Sequence, residues 1–265
     1  MLYFVSTPIG NLGDVSLRAL EVLKEVDFIA CEDTRTSLKF LNRYGVKKPL
    51  VSYHKFNERT AGEKLIEELK AGKNVAVISD AGTPVVSDPG NSLAERLVEE
   101  GLEFTVIPGA TAFVPALILS GFDAKRFMFV GFLPDKKSEK RNALEELKGV
   151  NATLIFYCAP HDLKDTLSLM YSVFGNRRAA TVKEITKLHE RTERFFLADG
   201  IKEEEPRGEY VIVVEGGKTE DPDLSLSVSE HVEKLVAEGL SKMDAVKKVA
   251  KARKMPKSEV YKLSL

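Results

Sequence analysis

The chain has 265 residues, of which 43% are hydrophobic and 30% charged, with a formal net charge of −1; this fits a soluble globular protein with one large or two modest domains and excludes whole-chain attraction to nucleic acid, leaving only local basic patches for such a role. No apolar run approaches the roughly 18 residues of a membrane-spanning helix, and Met1 to Val5 enter a strand-like run without a basic leader. A cytoplasmic protein with no membrane partner is expected.

The first half alternates strand and helix signals. Apolar runs at 2–5, 28–31, 50–53, 75–78 and 104–107 are interleaved with amphipathic stretches such as Leu17-Leu20-Leu23 and Leu65-Ile66-Leu69, which predicts a mostly parallel sheet with helices on its faces. Three of these runs deliver turn-rich loops: Ser6 to Asp14, Asp80 to Gly90, and Pro108 to Ala112. All three fall at the carboxyl ends of strands, where open α/β sheets bind ligands, so a shared crevice is expected. Gly82 admits close backbone approach and Pro84 stiffens the turn. Asp88 is read as the cap of a helix whose first residue is Pro89.

After Gly121 the texture changes. Strand-like runs at 127–132, 154–157, 179–182 and 210–214, with helices at 137–147 and 163–173, predict a second α/β domain whose sheet is mixed, because several connections are too short for a crossover helix. Gly216 to Pro222 reads as a linker. Residues 228–265 hold nine Lys/Arg against five Asp/Glu and repeat helical apolar spacing, with Pro256 between the last two helices. This tail is either a helix-turn-helix-like nucleic-acid module or ordinary packing. The expected divisions are 1–118, 119–217 and 218–265.

Cys31 and Cys158 stand far apart, without metal-ligand spacing, and read as buried free thiols. No metal is expected. Neither Gly-x-Gly-x-x-Gly nor Gly-x-x-x-x-Gly-Lys-Ser/Thr is present, so a ligand without phosphates fits the crevice better.

Thr7-Pro8-Ile9-Gly10-Asn11, Glu32-Asp33-Thr34-Arg35, Ser79 to Gly90 with its Asp-Ala-Gly-Thr-Pro-x-x-Ser-Asp-Pro-Gly string, and Gly131-Phe132-Leu133-Pro134 together resemble the tetrapyrrole-methylase superfamily, and within it the branch that methylates small-subunit ribosomal RNA. The similarity runs in order from residue 3 to Gly216. It implies a two-domain tetrapyrrole-methylase-like α/β fold and S-adenosylmethionine bound between the domains. It also implies methylation of the ribose 2'-hydroxyl of a decoding-centre cytidine in 16S rRNA, free or in the 30S subunit, by a homodimer. By motif matching, the cofactor contacts fall on Pro8, Ala81, Gly82, Thr83, Val85, Val86, Thr111, Ala112, Tyr157 and Ile185. Two rival readings remain: a tetrapyrrole precursor or modified protein histidine as acceptor, and a non-catalytic RNA-binding protein that keeps the cleft. Thr83 stands where tetrapyrrole enzymes usually carry an acid, which speaks against the first.

Methyl transfer requires alignment of nucleophile and donor and removal of a proton. Asp33, just past the second strand, resembles the superfamily's proposed proton acceptor, and it is equally a helix cap for the stretch from Thr34. His54 is a second candidate, or an exposed edge histidine. Glu184 and Lys187 could orient ribose or phosphate, or form a surface ion pair. For RNA, Arg35, Lys39, Arg43, Lys47 and Lys48 flank the crevice, and Lys136, Lys137, Lys140 and Arg141 follow the Phe-Leu-Pro turn. These are phosphate contacts or solvated helix faces.

Overall fold

Apolar runs without alternation suit only strands covered on both faces. In the computed structural model, which describes residues 1–217, 226–253 and 255–265, they form the interior of a parallel sheet. Its strands are β1 (Leu2–Val5), β2 (Phe28–Cys31), β3 (Leu50–Ser52), β4 (Val75–Ile78) and β5 (Phe104–Ile107), in the order β3-β2-β4-β1-β5. Helices α1 (Leu17–Glu25), α2 (Thr34–Arg43), α3 (Glu58–Lys70) and α4 (Asn91–Glu99) cover it. Leu2, Phe4 and Val77 pack on one face with Leu65, Leu93 and Leu97; Val5, Ala76 and Ile78 pack on the other with Leu23 and Leu41. Each such side chain contributes about 1.5–3 kcal/mol on full burial. Because β4, β1 and β5 are neighbours, their three loops leave one edge side by side.

The second sheet is mixed. Its elements are β6 (Phe127–Phe132), β7 (Thr153–Cys158), β8 (Arg178–Lys183), β9 (Arg191–Phe196) and β10 (Tyr210–Val214), ordered β6-β7-β10-β8-β9. β6 runs parallel to β7; the other pairings are antiparallel. Helix α5 (Phe113–Ser120), which straddles the expected division at 118, packs through Ala116 and Leu117 onto Ile155, Val182 and Val213 of this sheet. Helices α6 (Lys137–Leu147) and α7 (Leu163–Phe174) complete the layer. Strand β9 carries Arg191, Glu193 and Arg194 and sits at an edge. Charged edge strands resist wrong pairing, and that same composition hides them from apolar-run reading.

The helix expected from Pro89 begins instead at Asn91. Gly90 is its N-cap at φ 129, and no side chain caps it. Glu58 of α3 supplies the acceptor there, taking Gly90 N at 2.9 Å and Ser92 Oγ at 2.8 Å. Asp88 is therefore not a cap, because its carboxylate turns elsewhere.

Two compact units emerge from the chain: residues 1–148 with 152–216, and residues 149–151 with 217–265. The second contains α8 (Val228–Ala237), α9 (Lys242–Arg253) and α10 (Lys257–Leu263). A capping box between Ser227 and Glu230 starts α8, and Val232, Leu235, Val246, Val249 and Val260 form a core of their own. The part of the expected linker from Lys218 to Pro222 lies outside the described residues. Among the described residues, no helix is long and apolar enough to cross a membrane.

Candidate active site

The three neighbouring loops of the first sheet are bonded into one surface. Thr7 N donates to Gly82 O at 2.8 Å and Gly82 N returns a bond to Thr7 O at 3.1 Å. Ser6 Oγ lies 2.9 Å from Thr83 Oγ1, which donates to Ala110 O at 3.1 Å. Gly82 holds φ +86, and a Cβ there would stand 3.2 Å from Ile9 Cγ2. The glycine thus serves a left-handed turn and a close loop-to-loop approach.

Above this surface lies a cavity of about 440 Å³. Of the expected cofactor positions, Ala81, Gly82, Thr83, Val86, Thr111, Ala112, Tyr157 and Ile185 all line it. Pro8 does not; it faces an adjoining lobe of about 360 Å³ that shares Ile9, Asp80, Ala81 and Glu209 with the first. Val85 lines neither, since its side chain packs against the core of the first sheet. The loop seats Val85 half-buried against that core.

Backbone strain is concentrated here. Among the described residues, the non-glycine positions with positive φ are Val85 (75°), Ser87 (66°), Glu184 (49°) and Thr186 (66°). All four belong to two loops, and each loop also contributes cavity-lining residues. Each such conformation costs about 1–3 kcal/mol, and a β-branched valine is a rare occupant. Gly131 joins the second sheet to the same loop: its φ is +76, and a Cβ would stand 3.1 Å from Ser87 Oγ.

The candidate catalytic groups are dispersed. Asp33 caps α2, accepting Arg35 N at 2.8 Å and pairing with Arg35 Nη2 at 2.9 Å. The Arg35 side chain, then its backbone N–H, hold the Asp33 carboxyl down to about 2, so it is a weak proton acceptor, and it lines neither lobe. His54 accepts Phe56 N through Nδ1 at 3.2 Å and also lies outside both. Lys187 reaches the smaller lobe, bonded to Glu184 at 3.0 Å and Glu209 at 2.7 Å. Burial works to lower Lys187, but the two carboxylates outweigh it and raise it overall. Glu184 also accepts Glu209 N at 2.9 Å, so this pair is a structural clasp as well as a wall.

Asp88, assigned by sequence to a helix start, lines the larger cavity with Asp80 and Glu209. Burial, then Glu32 and Asp80 as neighbouring negative charges, push Asp88 up to about 6, against a hydroxyl bond from Ser79. Ser-Asp-Pro is a common helix-start pattern, and nothing local distinguishes a carboxylate aimed at a cavity from one aimed at N–H groups. Phe132, Cys158 and Pro160 also line the cavity and depend on pairing of strands far apart in sequence.

Arg35, Lys39 and Arg43 are exposed on α2, with Arg35 spent on Asp33. Lys47 is exposed and Lys48 half-buried beyond it. Lys136 pairs with Glu139 at 3.0 Å, Lys137 is exposed, and Arg141 bonds Ser172 at 3.2 Å. Lys140 departs from the expectation: it is 5% exposed and bonded to Asp162 and Thr166. Its position on the inner face of α6 excludes phosphate contact. No cluster of three metal-ligating side chains occurs among the described residues.

A family profile of Tetrapyrrole (Corrin/Porphyrin) Methylases matches residues 1–199. The chain belongs to this family. Over 270 residues it is 45% identical to a protein of Halalkalibacterium halodurans named Ribosomal RNA small subunit methyltransferase I, covering 99% of this chain and 93% of that one. A Bacillus subtilis protein of the same name is 44% identical over 98% and 92%. Among solved structures, diphthine synthase aligns with TM-score 0.67 at 18% identity over 81% of this chain and 89% of its own. Uroporphyrin-III-C-methyltransferase from Thermus thermophilus aligns with TM-score 0.58 at 23%, over 81% and 93%. These two share the fold. The family's S-adenosylmethionine suits the cavity: backbone and small side chains of residues 81–83 and 111–112 could hold it, Val182, Ile185 and Val211 supply an apolar wall, and Asp80 and Glu209 offset its positive charge.

Proposed function

We propose that the protein methylates the ribose 2'-hydroxyl of a decoding-centre cytidine in 16S rRNA. The observation that carries this reading is the apolar, carboxylate-edged cavity on the joined loops of β1, β4 and β5, in a chain with ribosomal RNA methyltransferases as relatives across nearly its whole length. Bound S-adenosylmethionine supplies an activated methyl group. The residues of the chain have three tasks. Residues 81–83, Val86, Thr111, Ala112, Tyr157 and Ile185 hold the cofactor and exclude water. The Lys187, Glu184 and Glu209 clasp borders the smaller lobe, where the ribose would enter. Lys39, Arg43, Lys136, Lys137 and Arg141 position the RNA through its phosphates without reading sequence, and the target nucleotide leaves its stack to reach the cavity.

The acting form is proposed to be a homodimer. Val114 and Ile118 of α5 and Phe127 of β6 remain 42%, 71% and 45% exposed, and such apolar groups suit a covered face. Sedimentation at micromolar concentration tests this, and a monomer would refute it.

The function is tested by offering purified protein and isotopically labelled cofactor to unmethylated 30S subunits and to naked 16S rRNA, then mapping label by mass spectrometry. Label on one decoding-centre 2'-oxygen is expected. Label on a base, or none on either RNA with cofactor binding verified, sinks the reading.

A further inference from the structure

We propose that Asp88 accepts the hydroxyl proton in the methyl-transfer step, an inference that rests on the methyltransferase reading above. The other candidates are occupied. Asp33 is committed to the α2 cap and to Arg35. His54 Nδ1 accepts a backbone N–H outside both lobes. Glu184 and Glu209 are paired with Lys187. Of the three carboxylates lining the larger cavity, Asp80 accepts Asp33 N at 3.1 Å and Glu209 holds Lys187. Asp88 alone among them lacks a cation or backbone donor among the described residues, with only the Ser79 hydroxyl beside it.

The surroundings of Asp88 tune it for this role. Glu32 at the end of β2 and Asp80 at the end of β4 face it as negative charges, and Tyr157 of β7 faces it from the second sheet. His54 acts on Glu32 from the opposite sense. The outcome, about 6 for Asp88, leaves it ionised at neutral pH yet more basic than an ordinary carboxylate, the condition favoured for a general base. In the step, the 2'-oxygen forms a bond to the methyl carbon and the carbon–sulfur bond breaks with its electron pair moving to sulfur. The hydroxyl proton passes to the Asp88 carboxylate, which later releases it to water. Positive charge on the donor and the proton's charge are thereby balanced, leaving S-adenosylhomocysteine and methylated ribose.

The test combines calorimetric cofactor affinity with single-turnover methylation of 30S subunits from pH 5 to 9. Asp88→Asn should bind S-adenosylmethionine within about three-fold of the parent and methylate about 100-fold more slowly. The parent should lose rate below a midpoint near 6, and Asp88→Asn should lack that limb. Asp88→Glu should recover part of the rate together with an acid limb. Glu32→Gln should move the parent's midpoint downward, which tests the proposal even if Asp88→Asn folds poorly. A parental rate in Asp88→Asn, a rate loss matched by lost cofactor affinity, or a parent profile without an acid limb each overturns it. A parent that binds no cofactor instead refutes the underlying function.

Discussion

Gly82 shows how one residue sets the geometry of a loop that lines the cavity. Its φ of +86 and the 3.2 Å approach to Ile9 leave no room for a branched side chain. Gly82→Val should therefore lower stability by about 2 kcal/mol and weaken cofactor affinity at least ten-fold, read by urea denaturation and calorimetry; unchanged affinity would detach this loop from the cofactor. Asp33 makes the opposite case. Since Asn caps helices about as well as Asp, Asp33→Asn should keep methylation within about three-fold. Its carboxyl lies below the ordinary carboxylate range, at about 2, so its stabilising contribution is present at neutral pH and lost as pH falls through that value. The melting-temperature gap between parent and Asp33→Ala should accordingly close between pH 5 and 2, and a constant gap would contradict the linkage. Sequence supplied both readings of Asp33, cap and base; only the position of Arg35 and of the cavity separates them. For Asp88 the local pattern pointed the wrong way, because its partners Glu32 and Tyr157 come from strands distant in the chain.

Among the elements, those with unbroken apolar runs or clean amphipathic spacing were legible, while β9 and the start of α4 were not. β9 is defined by its pairing with β8, and at the start of α4 it is Glu58 of α3, rather than a local side chain, that accepts the N–H of the cap residue Gly90. Helix α6 illustrates the same limit: its three basic positions, Lys137, Lys140 and Arg141, look alike in sequence, yet Lys140 turns inward to Asp162. Lys140→Met should cost about 2 kcal/mol, less than for a fully buried pair because Asp162 is partly exposed, while RNA affinity stays unchanged. Replacing Lys39 and Arg43 of α2 by Glu should instead leave stability unaltered and lower RNA affinity, with the slope of log affinity against log salt reduced by about two. An unchanged slope in a salt titration would remove α2 from the RNA surface.

At the scale of the whole molecule, every residue lining the two lobes of the candidate site belongs to one compact unit, and the C-terminal helices close a separate core around Val249. Val249→Asp should unfold those helices, seen as lost helical signal, and keep S-adenosylmethionine affinity within two-fold; a lost cofactor site would show that the units depend on each other. The sequence by itself determined the two α/β layers, the parallel first sheet, the helical tail and the three loops that line the cavity, because apolar runs, helical spacing and Gly/Pro turns are local patterns with direct physical meaning. The tertiary structure decided which carboxylates line the cavity, which lysine is buried and which glycine-rich turn touches which loop. Those outcomes are set by contacts between residues far apart in the chain, Glu32 with Asp88, Lys140 with Asp162 and Thr7 with Gly82, where burial and neighbouring charge, rather than residue type, fix what a side chain can do.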